Sequence, residues 1–174
     1  EERGQYLQAL RAYGGAEDFD GVLRVVEKDA GILLALLPPE QVLSWLDRCL
    51  PEVLERHPLA MLVLMRSMFN WRRIPEMLRL KEQLLAAIDA RPDMPGEERG
   101  NLRGECDLIM SFLLYNDIAG MSRLHRSASA QMSRPAVSIR RQGGWTFGSP
   151  SVLMMFHRQA GRLDCELAEM DECM

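Results

Sequence analysis

The stretch PLAMLVLMRSMFN-WRR-IPEMLRLKEQLLAAIDA, residues 58–90, decides the fold. Leu62, Met65, Met68 and Phe69 recur three to four residues apart, as do Met77, Leu80, Leu84 and Ile88, so each set falls on one side of a helix. Pro58 and Pro75 stand where the two helices begin. Proline is tolerated there because the N–H it lacks would have no partner within the helix. The stretch reads as two helices joined by a short turn.

The same register returns forty-four residues later. Counted from Leu102, the residues Leu108, Phe112, Ile118, Met121, Leu124 and Ala128 hold the places that Leu64, Met68, Ile74, Met77, Leu80 and Leu84 hold when counted from Pro58. A unit near Arg3 offers Tyr6, Tyr13, a turn at Glu17-Asp18-Phe19, then Val22 and Val26. A last unit offers Leu153, a turn at 160–163 and Leu167. This pattern resembles the tetratricopeptide repeat, whose first helix carries a large apolar residue near its seventh position and an aromatic near its eleventh. The family's Trp, Gly and Ala anchors are mostly missing, and an insertion at 92–101 stretches the period. An irregular helical bundle is the alternative. The expectation is an all-α, tetratricopeptide-like superhelix of stacked antiparallel pairs at 3–29, 30–56, 58–91, 102–132 and 150–174. A single pair cannot cover its own apolar face, and stacked pairs generate a concave surface.

Composition agrees with helix. Apolar residues make up 47% and charged residues 26% of 174, enough for one domain with a real core, while β-branched and aromatic residues are sparse. The apolar run at 32–37 is far too short to span a membrane, and no leader pattern opens the chain, which points to the cytoplasm. Cys49, Cys106, Cys165 and Cys173 form no C-x-x-C pair and show no zinc-ligand spacing, so unpaired thiols in a reducing compartment are expected and no metal. A start at Glu1-Glu2 and an end inside an apparent helix suggest a section of a longer chain. Self-association through that end is expected.

Charge is unevenly spread. The formal net charge is -4, yet Ile118 to Leu163 holds no acidic residue and contains seven arginines. Segregated charge usually marks a surface that meets something negative. Within it, 133–150 reads as a long irregular loop, either a connector pinned by Trp145 and Phe147 or a recognition segment. The candidate ligand- or partner-binding residues are Arg134, Arg140, Arg141, Trp145, Phe147, His157 and Arg158. Cationic donors beside aromatic rings suit a ligand with an apolar body and an anionic end. Catalysis is not expected. Nucleophile elbow, zinc-protease, phosphate-loop and dinucleotide patterns are all absent. The three histidines are dispersed, His57 before Pro58 reads as a helix-start residue, and Glu97-Glu98 reads as a solvated helix terminus.

The run 144–158, GWTFGSPSVLMMFHR, and the opening Gln8–Tyr13 with Asp18-Phe19 and Val22-Leu23 resemble segments of large bacterial LuxR-family transcriptional regulators of the MalT type. The resemblance implies the superhelical middle section of such a regulator, sensing a small effector or a protein partner and acting on the other domains of the same chain. It also implies that ATP binding and DNA binding belong to domains outside these residues, with no cofactor held here. The alternative is a generic adapter scaffold that holds a partner's peptide in its groove.

Overall fold

The computed structural model describes residues 3–114, 117–139 and 168. These residues form helices and turns and contain no strand. They sort into two compact units, one made of residues up to Met94 together with 137–139, the other belonging to Pro95–Ala136. In the first unit, α1 (Arg3–Gly15) pairs with α2 (Phe19–Asp29). A 3-10 turn at Leu33–Leu36 then leads to α3 (Pro39–Arg48) and a short α4 (Pro51–Glu55), and α5 (Pro58–Asn70) pairs with α6 (Ile74–Asp89). In the second unit, α7 (Gly96–Ser111) runs into a 3-10 turn at Phe112–Leu114 and pairs with α8 (Ile118–Gln131).

Local chemistry explains where these helices start. Pro39, Pro51 and Pro58 take the first helical position and Pro75 the second. Asp18 and Asp117 cap α2 and α8 in one manner, each carboxylate accepting from a glycine N–H three residues on, Gly21 and Gly120, both at 2.9 Å.

The two hairpins of the first unit also close alike. The N–H of Asp18 donates to Tyr13 O at 3.0 Å, and that of Arg73 to Met68 O at 2.8 Å. One residue earlier in each turn, Glu17 (φ 58°) and Arg72 (φ 57°) are left-handed. This is the helix ending that normally takes glycine. A residue with a Cβ in that conformation costs roughly 1–2 kcal/mol.

α5 is the centre of the first unit. Ala60 through Met65 are all buried, as is Met68, because α2, α4 and α6 pack around it. A helix apolar on every side has neighbours on every side. From α6, Met77, Leu80, Leu84 and Ile88 meet it. Trp45 of α3 lies over Gly14 of α1, where a Cβ would fall 2.2 Å from the indole.

Two boundaries differ from the sequence reading. The segment 30–56 is not a hairpin of matched helices: the left-handed Ala30 and Gly31 turn the chain into the 3-10 segment, and prolines divide the rest into α3 and α4. The presumed insertion at 92–101 is partly helix, since α7 starts at Gly96. Glu97 and Glu98 occupy its first turn, exposed and suited to the positive end of the helix dipole. Gly100 and Gly104 let the end of α8 lie close: a Cβ at these positions would meet Gln131 O at 2.5 Å and Met132 Cγ at 2.4 Å.

Candidate functional site

Of the seven residues proposed from sequence, Arg134 lies among those described; Arg140, Arg141, Trp145, Phe147, His157 and Arg158 lie outside them, as do the 150–174 pair, Cys165 and Cys173. Arg134 follows α8 and reaches back to α7. Its Nη1 donates to Glu105 Oε1 at 2.7 Å and to Pro135 O at 3.1 Å. The Glu105 side chain is fully buried, whereas that of Arg134 is 35% exposed. One side of this guanidinium therefore neutralises a buried carboxylate, and its outer part faces solvent.

The hairpin α7/α8 is bound by further polar contacts. Asn101 and Ser133 exchange hydrogen bonds at 2.9 and 3.0 Å, and Ser133 Oγ donates to Glu97. Asp107 Oδ2 accepts from Ser127 Oγ at 2.7 Å and from Gln131 Nε2 at 2.9 Å. Ser111 Oγ stands 3.1 Å from His125 Nε2, the spacing of a nucleophile and its base. The surroundings do not favour that role. Ser111 Oγ donates to Leu108 O at 2.6 Å, which engages its proton in the helix, and Ser111 is wholly buried. Burial of the ring pulls the His125 pKa below the usual histidine value.

His57 is more than a helix start. It is buried, with Nε2 3.1 Å from Asp20 Oδ1 and Nδ1 3.2 Å from Glu27 Oε2, both carboxylates on α2. Asp20 also accepts from Arg56 at 3.0 Å and meets Arg24 at 3.5 Å, while Glu27 Oε1 accepts from the Ala60 N–H. The hydrogen bonds from His57 and then Arg56 hold the Asp20 carboxyl below its ordinary pKa. This cluster ties α2 to the start of α5. Arg66 adds a second tie, donating to Ala30 O at 2.7 Å and Ser138 O at 2.6 Å.

A cleft of about 460 Å³ opens between α1 and α2. Tyr6, Ala9 and Tyr13 line it from α1, and Arg24, Val25 and Lys28 from α2. The sequence reading does not include this cleft, although Tyr6/Tyr13 and Arg24/Lys28 stand at same-face helical spacings. Among the described residues, no group of three or more His, Cys, Asp or Glu is placed to hold a metal ion. Cys49 borders a small apolar void, and burial raises its thiol pKa, which disfavours a reactive thiolate. No helix among the described residues is long and apolar enough to cross a membrane. Comparison with protein-family models, with curated proteins and with solved structures finds no match.

Proposed function

We propose that this chain is a binding module of the helical-repeat type, the sensing section of a multidomain LuxR-type transcriptional regulator, without catalysis of its own. The observation that carries the reading is the reuse of one hairpin design. The α1/α2 and α5/α6 turns share their hydrogen bonds and their left-handed residue, and α2 and α8 share an aspartate cap. Repetition of a supersecondary unit is the mark of solenoid scaffolds, which recognise partners across stacked helices. The likeness of residues 144–158 to LuxR-type regulators supplies the biological setting. An effector acts on such a protein by binding one of its states better than the other, typically by about 1–3 kcal/mol.

The test is the coding sequence on either side of these residues. A phosphate-cradling Walker motif upstream and a LuxR helix-turn-helix downstream are expected. If neither is encoded, the regulator reading is wrong and the adapter scaffold takes its place.

A further inference from the structure

We propose that the cleft between α1 and α2 is a binding site for a small organic anion with a flat aromatic body. The inference rests on the cleft alone, independently of whether the chain belongs to a regulator. The cleft offers about 460 Å³ and is about half open to solvent, a groove that covers one face of a small molecule. Two phenol rings border it from one helix and two cations from the other, and no lining residue among those described is acidic. That is notable in a chain whose net charge is -4.

The geometry of each part is fixed by the helices. Tyr6 and Tyr13 are seven residues apart on α1, and Arg24 and Lys28 are four apart on α2, so each pair shares one side of its helix. Tyr13 is held by a missing side chain: a Cβ on Gly21 would fall 2.7 Å from its Cγ and Cδ1. The ring thus packs on the α2 backbone while remaining 37% exposed. Arg24 meets Asp20 through Nε at 3.5 Å, but Asp20 is bonded more closely to Arg56 and His57. Val25, itself buried, and Ala9 add apolar surface to the lining. A flat ring lying against Tyr13 and Val25 gains from stacking and burial, and a carboxylate or phosphate at its end gains charge-assisted hydrogen bonds. Neither contact alone specifies the ligand; their combination favours an aromatic anion over a neutral aromatic or a bare anion.

Calorimetric titration of the whole chain with 2-naphthoate and with phenyl phosphate tests this, with 2-naphthylmethanol and inorganic phosphate as the probes lacking charge or ring. At least one aromatic anion should bind saturably, and each control should bind about tenfold more weakly or worse. The paired substitution Arg24→Gln and Lys28→Gln should weaken the aromatic anion by about tenfold, with the circular-dichroism melting curve unchanged. Tyr13→Leu should weaken it as well. Absence of saturable binding by both aromatic anions would overturn the proposal. So would equal binding of the neutral alcohol, or an affinity untouched by the glutamine pair.

Discussion

The hairpins α5/α6 and α7/α8 begin their second helices forty-four residues apart, at Ile74 and Ile118, yet different chemistry joins them. In α5/α6 the seam is apolar, with Met61, Leu64, Met65 and Met68 against Met77, Leu80, Leu84 and Ile88, all buried. In α7/α8 a shorter apolar set, Leu102, Cys106, Ile109 and Ala128, is flanked by Asn101–Ser133, Glu105–Arg134, Asp107–Gln131 and Ser111–His125. Apolar burial is non-directional and contributes in proportion to area, whereas a buried polar pair is sensitive to loss of either partner. The apolar seam of α5/α6 is therefore expected to be the less sensitive of the two to charge and pH, and the polar seam of α7/α8 the more sensitive. Elements that switch are drawn from the less stable parts of a fold.

The largest expected difference lies between Leu64 and Leu108, which the sequence register pairs but which differ in burial. Leu64 is fully packed and Leu108 is only partly buried. Leu64→Ala should cost about 3 kcal/mol in urea unfolding and Leu108→Ala about 1 kcal/mol. Equal losses would break the contrast. Next comes the Glu105–Arg134 pair. Arg134→Met removes the ion-pair partner of a carboxylate with no solvent exposure and should cost about 2 kcal/mol, below the usual figure for a buried pair because the arginine is partly solvated. Adding Glu105→Gln should recover much of that loss. No recovery in the double-mutant cycle would remove the ion pair from the account.

Acid should distinguish the two regions more finely. His125 has its pKa lowered by burial, so the unfolded chain binds the proton more readily. Its contribution is present above about pH 6.5 and is lost as pH falls below that value. Asp20 has its pKa lowered chiefly by His57, so its contribution persists until pH falls below the ordinary carboxylate value of 3.8. Residue-resolved amide exchange should show α8 losing protection in mild acid while α2 keeps it, and His125→Gln should abolish the mild-acid step. The smallest effect concerns the left-handed turn. Arg72→Gly should raise stability by about 0.5–1 kcal/mol by relieving backbone strain; a loss would mean that the Arg72 side chain contributes more than its conformation costs.

Much of the frame was legible in the residues themselves. The prolines at 39, 58 and 75 and the spacing of Leu62, Met65, Met77 and Leu84 depend on local chemistry, and the helices start and pack there accordingly. The beginning of α7 was not legible, because Gly96, Gly100 and Gly104 disfavour helix in isolation. Packing beneath Gln131 and Met132 is what uses Gly100 and Gly104, and it is a tertiary fact. His57 tells the same story. Arg56-His57-Pro58 carries only a helix-start signal, and its bonds to Asp20 and Glu27 arise when residues some thirty positions earlier fold alongside. The α1/α2 cleft required two separate helical faces to be paired before its cations and rings could be seen as one place.

Native-state hydrogen exchange at neutral pH tests the contrast between the hairpins most directly. The amides of Met61–Met68 in α5 should exchange only with global unfolding of their unit, with denaturant dependence to match. Those of Met121–Ala128 in α8 should exchange through a smaller, local opening that Arg134→Met accelerates. Equal protection in the two hairpins, or an α8 unaffected by loss of Arg134, would contradict the claim that an apolar seam and a polar seam give this chain one rigid hairpin and one responsive one.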